Sequence, residues 1–257
     1  QFSFNHAGWV APMEDNFDVS AWPNVWSQWA AAALIFHRGD VSAAKNVYEQ
    51  TLSDKDLYGP LDEDKPIADE PLLPLITKTQ ISFGKESITP DTASFLNSFL
   101  DKEKKEIKSE TSELVWNYGK GVFKLNTDKT QAMIGFGGGA EVGLNDVVFS
   151  PKTNFCSLAV SSMDDRAIAD SDYLLLTAAA RIENKGQKYN DSKNQLKDVG
   201  AAPILVEGVS AKIKLNRAPS AVYALDINGK RLKQIIRSGK SFEIKAQDKA
   251  FFYEIIF

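Results

Sequence analysis

ELVWNYGKGVFKLNTDKTQAMIGF, residues 113–136, holds three short apolar runs, ELVWNY, GVFKLN and QAMIGF, parted by Gly, Lys, Asn, Asp and Thr. Runs rich in Val, Ile, Phe, Trp and Tyr between such breakers read as β-strands. The pattern continues downstream through DVVFS, FCSLAVSSM, YLLLTAAARIE, ILVEGVSAKIKL, AVYALD, KQIIRS, SFEIKA and FFYEIIF, with turn signals every 8–12 residues or about that. Asp226-Ile227-Asn228-Gly229, followed by another strand, is a hairpin signature, because Asn-Gly tolerates the positive φ that a tight turn requires. No long helical pattern interrupts residues 107–257, so this segment is expected to fold as an antiparallel β-sandwich.

Upstream the pattern changes. DTASFLNSFLDKEKKE (Asp91–Glu106) repeats Phe95, Leu96, Phe99 and Leu100 at helical spacing, which predicts a short amphipathic helix. SAAKNVYEQTL (42–52) reads as a strand, and YGPLDEDKPIADEPLLPL (58–75) as an irregular crossing segment rich in proline and acid. Before these, AWPNVWSQWAAAALIFHRGDV (21–41) predicts a helix. Pro23 suits its first turn, Trp22, Trp26, Trp29, Ala33 and Phe36 follow at helical spacing, and Gly39 is the stop. Ala30, Ala32, Leu34 and Ile35 make the rest of that helix apolar, so it should be covered on more than one side, with Trp22, Trp26 and Trp29 as core.

QFSFNHAGWV (1–10) suits a short buried strand. A lone strand and helix cannot bury their own faces, so this beginning reads as part of something larger. The chain is expected to divide into residues 1–40, a connecting region 41–106, and the strand-rich 107–257.

Composition excludes several function classes. The chain of 257 residues is 43% hydrophobic and 25% charged, enough to build a sizeable core. Its net charge of −4 comes from dispersed groups with no basic stripe, so nucleic acid is not an expected partner. The longest apolar run, AAAALIF (Ala30–Phe36), falls far short of the ~20 residues needed to span a bilayer, and no membrane association is expected. Cys156 is the only cysteine, which excludes an intramolecular disulfide and a cysteine-based zinc cluster. Its apolar setting, NFCSLAVSS, reads as a buried thiol.

The segments FSFNHAGW (2–9), WSQWAAAALIFHRGDVSAAK (26–45), SETSELVWNYGKGVFKLNTDKTQAMIGFGG (109–138), SSMDDRAIADSDYLLLTAAARIENKG (161–186), VYALDINGKR (222–231) and FFYEIIF (251–257) together resemble the C-terminal region of bacterial cellulase-like glycoside hydrolases of the retaining (β/α)8-barrel kind. The resemblance implies that residues 1–40 are the last barrel strand and helix, followed by a β-sandwich accessory domain that packs on the barrel. It implies a secreted or cell-surface bacterial protein that acts with polysaccharide or oligosaccharide. In such enzymes the acid/base and nucleophile glutamates end the fourth and seventh strands. The segment matched here is only the eighth, so no catalytic carboxylate carries over. His6 and Trp9 match positions that present polar and aromatic groups to the sugar.

Residue by residue, the chemistry-bearing groups have plain alternatives. Glycoside hydrolysis needs two carboxyl groups across one bond, and the pairs Glu14–Asp15, Glu110–Glu113 and Asp164–Asp165 sit in polar, loop-like stretches where solvated acid is the default. His37, beside Arg38 at the end of an apolar helix, reads as a helix-terminal cation. GFGGGAEVG (135–143) lacks the following helix of a dinucleotide loop and reads as a hairpin. Asp164, Asp165 and Asp170 could supply hard oxygen ligands to Ca²⁺, or form a polar turn. Trp116 and Tyr118 alternate along a strand and so share a face, which is a sugar platform if exposed and core if buried. Tyr189, in NKGQKYNDSKNQ, is the aromatic least easily explained by burial.

The expectation is therefore a non-catalytic accessory region of a secreted polysaccharide-degrading glycoside hydrolase, with His6, Trp9, Trp116, Tyr118 and Tyr189 as candidate carbohydrate contacts. Its Trp-rich helix would meet the remainder of the barrel or a second copy of the chain. The rival readings are an autonomous carbohydrate-binding module and an adhesion-type structural sandwich.

Overall fold

The computed structural model describes residues 19, 22–59, 72–88, 91–192 and 194–257. The chain forms two compact units, Val41–Asn126 and Gln1–Asp40 with Thr127–Phe257. It is mainly β, with several antiparallel sheets.

Two helices open the described chain, α1 (Pro23–Trp26) and α2 (Trp29–Arg38). Pro23 fills the first turn of α1, where its missing N–H has no intrahelical partner to lose. Gly39 ends α2 in the left-handed region at φ 62°, and the Asp40 N–H reaches back to the Ile35 carbonyl at 3.0 Å, the long bond of a Schellman turn. Within its unit, α2 is covered on one side only. Ala31 is buried and Ala30, Leu34 and Ile35 are half-buried, whereas Trp29 is 56% and Phe36 82% exposed, with Ala32 and Ala33 exposed between them. The expectation that Trp29 is core is thereby corrected, while Trp22 and Trp26 are half-buried, the latter edge-on to Phe251 at 5.3 Å.

In the Val41–Asn126 unit, β1 (Val47–Leu52) lies parallel to β2 (Lys78–Phe83). Parallel neighbours need a crossover longer than a hairpin, and here it carries two short helices, α3 (Asp54–Tyr58) and α4 (Leu73–Ile76). Helix α5 (Thr92–Asn97) is capped by Asp91, whose carboxylate accepts the Ser94 N–H at 3.2 Å. It is shorter than its apolar spacing suggests. Instead of continuing to Glu106, the chain forms β3 (Leu100–Asp101) and turns back into β4 (Glu106–Lys108), with Leu100 opposite Ile107. The charged run Lys102–Lys105 offers no apolar group to hold another helical turn, and a helix this short gains little from backbone bonds alone. β5 (Leu114–Asn117) and β6 (Val122–Asn126) complete an antiparallel meander after β4.

The larger unit holds the remaining strands: β7 (Thr130–Gly135), β8 (Val142–Gly143), β9 (Val147–Pro151), β10 (Cys156–Ser162), β11 (Tyr173–Ala179), β12 (Ile182–Lys185), β13 (Lys188–Tyr189), β14 (Leu196–Asp198), β15 (Ala201–Val206), β16 (Ala211–Leu215), β17 (Ala221–Leu225), β18 (Arg231–Gln234), β19 (Arg237–Ser238), β20 (Ser241–Ile244) and β21 (Phe252–Ile256). One antiparallel sheet runs β18-β17-β21-β11-β10-β7 and another β19-β20-β16-β9-β8, while β12–β15 and β13–β14 are separate pairs. β9, β16, β20 and β21 alternate as strands of a one-sided sheet do, whereas β7, β10 and β11 are buried at nearly every residue. Val147, Phe149, Ile213 and Ile244 of the second sheet are fully buried, as are Leu158, Leu174, Val222 and Ile255 of the first. The β17–β18 hairpin turns at Gly229, φ 80°, where the Asn-Gly signature places it.

Candidate functional site

His6 and Trp9 lie outside the described residues, as do Glu14 and Asp15. Trp116 stands on β5 between Ile107 on β4 and Phe123 on β6, half-buried in a cross-strand apolar row. β5 ends at Asn117, whose buried side chain accepts the Lys120 N–H at 2.8 Å and donates to the Lys104 carbonyl at 3.2 Å, so two neighbouring turns hang on one amide. Tyr118 therefore opens a turn rather than extending the strand, and its ring is 42% exposed. Tyr189 on β13 is 48% exposed, and its hydroxyl accepts from Gln187 Nε2 at 2.8 Å. Tyr118 and Tyr189 belong to different units.

The acidic groups singled out from the sequence are held by structural partners. Glu110 accepts the backbone N–H groups of Lys45 and Asn46 at 3.1 and 3.2 Å and the Asn46 side-chain amide at 2.9 Å. Glu113 accepts both the N–H and the hydroxyl of Ser42 at 2.8 Å. Together they fasten residues 42–46 to the meander. Asp164 accepts from Arg166 Nε at 3.0 Å and from the Asp172 N–H at 3.0 Å, and Arg166 reaches across to Asp172 at 2.6 Å. Burial pulls the Asp164 carboxyl upward, but the Ser171 hydroxyl, the Asp172 amide and Arg166 outweigh it and hold the group well below the usual carboxylate range. Asp165 pairs with Lys129 at 2.6 Å, which lowers its carboxyl too. Asp170 is exposed. Among the described residues, no three His, Cys, Asp or Glu side chains gather as metal ligands.

Cys156 is buried, and desolvation, helped by Glu207, pushes its thiol up to about 12. It is neutral at any ordinary pH and unsuited to nucleophilic work. Tyr253 is raised above the usual phenol range by burial and by Asp248, whose carboxylate accepts its hydroxyl at 3.3 Å.

The sequence reading passed over a group of cations. Lys212 and Lys214 alternate with buried Ile213 and Leu215 on β16, so both point away from the core of their sheet. Lys212 stands opposite Ser150 on β9 and Glu243 on β20. A cavity of about 540 Å³ opens beside β18–β20, lined by Lys212, Lys233, Arg237 and Lys245 with the carboxylates of Glu243 and Asp248. A second cavity, about 580 Å³, is walled by Ala178, Gly208, Ala246, Ala250 and Phe251 and is more apolar. The Lys-Ile-Lys-Leu alternation was the available signal for the first of these, since in a strand it puts both charges on one face.

No protein-family model, curated protein or solved structure matches the chain. Among the described residues no helix is long and apolar enough to cross a membrane.

Proposed function

We propose that this chain is a non-catalytic accessory region of a secreted, bacterial, polysaccharide-degrading glycoside hydrolase. In this reading the two antiparallel sheets of the larger unit face each other as a β-sandwich, and α2, the last helix of a (β/α)8 barrel, lies between that sandwich and the rest of the barrel. The observation that carries it is the two-faced character of α2. Trp29, Ala32, Ala33 and Phe36 recur at the spacing of one helix face and are exposed, while Ala31 faces the β-rich body. A helix that finishes its surroundings needs only one apolar stripe; a helix between two layers needs two.

The engagement of Glu110, Glu113, Asp164 and Asp165 by backbone amides and cations supports a structural rather than a catalytic use of these acids. Tyr118 and Tyr189, both partly exposed, could stack on a sugar ring. An autonomous carbohydrate-binding module would cover its own helix, and the exposed stripe on α2 counts against it. The test is turnover of aryl glycosides and of a polysaccharide panel by the purified chain. No hydrolysis is expected, and turnover abolished by changing one of the chain's own carboxylates would overturn the reading.

A further inference from the structure

The lysines of the five-stranded sheet have an ordinary explanation: charged side chains keep a solvated sheet soluble and protect its edge strand from pairing. Three observations at the cavity beside β18–β20 go further. First, its cations are concentrated, four of them against two carboxylates, in a chain whose net charge is −4. Second, both carboxylates are already paired. Asp248 holds Lys233 at 2.6 Å, and Glu243 holds Lys152, which approaches from outside the cavity. The Lys212 and Lys245 ammonium groups and the Arg237 guanidinium make no ion pair within 4.0 Å among the described residues, although the Lys245 backbone N–H donates to Asp248 at 2.8 Å and Arg237 Nε to the Ser220 carbonyl at 3.0 Å. Third, the walls between the charges carry groups that recognise hydroxyls, namely Gln234, Ser238 and Ser241.

We propose that this cavity is a binding site for an anionic polysaccharide, with Lys212, Lys245 and Arg237 meeting its carboxylate or sulfate groups and Gln234, Ser238 and Ser241 its hydroxyls. The proposal deepens the accessory-region reading and rests on it for the polysaccharide. Charge density separates this ligand from nucleic acid. A duplex carries one negative charge per ~1.7 Å and needs an unbroken row of cations. Here Glu243 stands directly opposite Lys212 and breaks the row, which suits a chain whose charges are separated by neutral, hydroxyl-bearing units. Lys212 is exposed on β16 opposite Glu243 and Lys245 follows two residues beyond Glu243, so these two cations share a face, while Arg237, opposite buried Phe242, reaches the cavity from the edge strand β19.

Affinity electrophoresis and calorimetry with the full chain test this, using polygalacturonate, dextran sulfate, neutral dextran and single-stranded DNA at low and moderate salt. Binding to polygalacturonate, dextran sulfate or both is expected, weakening as salt rises and falling about tenfold or more in Lys212→Glu/Lys245→Glu. The milder Lys212→Ala/Lys245→Ala, with an unchanged melting temperature, guards against a folding defect. Which acidic polymer binds tells carboxylate from sulfate. Undiminished binding in both double variants, or DNA bound as tightly as the acidic glycans, would overturn the site. Binding of neutral dextran alone would overturn it while leaving the accessory-region reading standing, and hydrolysis by the chain itself would overturn that reading separately.

Discussion

Arg38 grips Asp40 with both arms of its guanidinium, Nε to Oδ1 at 3.0 Å and Nη2 to Oδ2 at 2.5 Å, and the Asp40 side chain is wholly buried. The pair is tied to the β-rich body on both sides. Arg38 Nη1 donates to the Ser162 carbonyl at 2.5 Å on β10, and the Thr130 hydroxyl of β7 donates to Asp40 Oδ2 at 2.8 Å. It fixes the end of α2 to two neighbouring strands.

Removing one partner leaves the other charged and unpaired. Asp40→Ala is predicted to destabilise by about 3–5 kcal/mol, read as a lower urea midpoint. Arg38→Lys should recover little, because an ammonium cannot reproduce the two-armed contact.

Two glycine substitutions should differ in cause and size. At Gly39 the only obstacle to Ala is the left-handed backbone, since a Cβ there meets nothing within 4 Å; the expected cost is about 1 kcal/mol. At Gly208 a Cβ would come within 2.7 Å of the Ala246 Cα, and backbone must move, at about 1–3 kcal/mol. Thermal melting of both variants gives the comparison.

Cys156 is predicted to be silent toward a disulfide reagent at pH 8 in the native protein and to react fully in denaturant. Burial holds its thiol protonated. Rapid native labelling would contradict this.

Asp56 provides a pH signature. The Ser87 hydroxyl first, then the Ser53 amide and hydroxyl, hold its carboxyl at about 2 against an ordinary value of 3.8. A depressed folded value contributes stability above the unfolded one and loses it as pH falls. The contribution should be complete above pH 4 or so and disappear toward pH 2. Asp56→Asn should flatten the acid limb of a urea-midpoint profile over that window.

Calcium is predicted to leave the melting temperature unchanged, because Arg166 already spans Asp164 and Asp172. A rise in wild type that Asp164→Asn abolishes would establish a calcium site.

Much of the β architecture was readable because short-range physics decides it. The Asn228-Gly229 turn, the alternation of Ala211–Leu215 and the stop at Gly39 depend on neighbouring residues alone. The length of α5 was not readable, since Phe99 and Leu100 fit a helical stripe equally well and the pairing of Leu100 with Ile107 is settled by register. Nor was the cationic cavity. Lys212, Arg237 and Lys245 are separated in sequence and meet only because β16, β19 and β20 are neighbours in one sheet. The exposure of Trp29 against the burial of Ala31 likewise depends on which face the β-rich body covers.

The central claim, that α2 lies between two layers, is tested most directly by Trp29→Gln/Phe36→Gln, examined by sedimentation and thermal melting. If the exposed stripe is a docking face, wild type should self-associate through it as concentration rises, and the variant should be monomeric with its melting temperature essentially unchanged. A variant that loses stability as a core mutant does, by about 3–5 kcal/mol, would show that the stripe is interior to this chain and contradict the account.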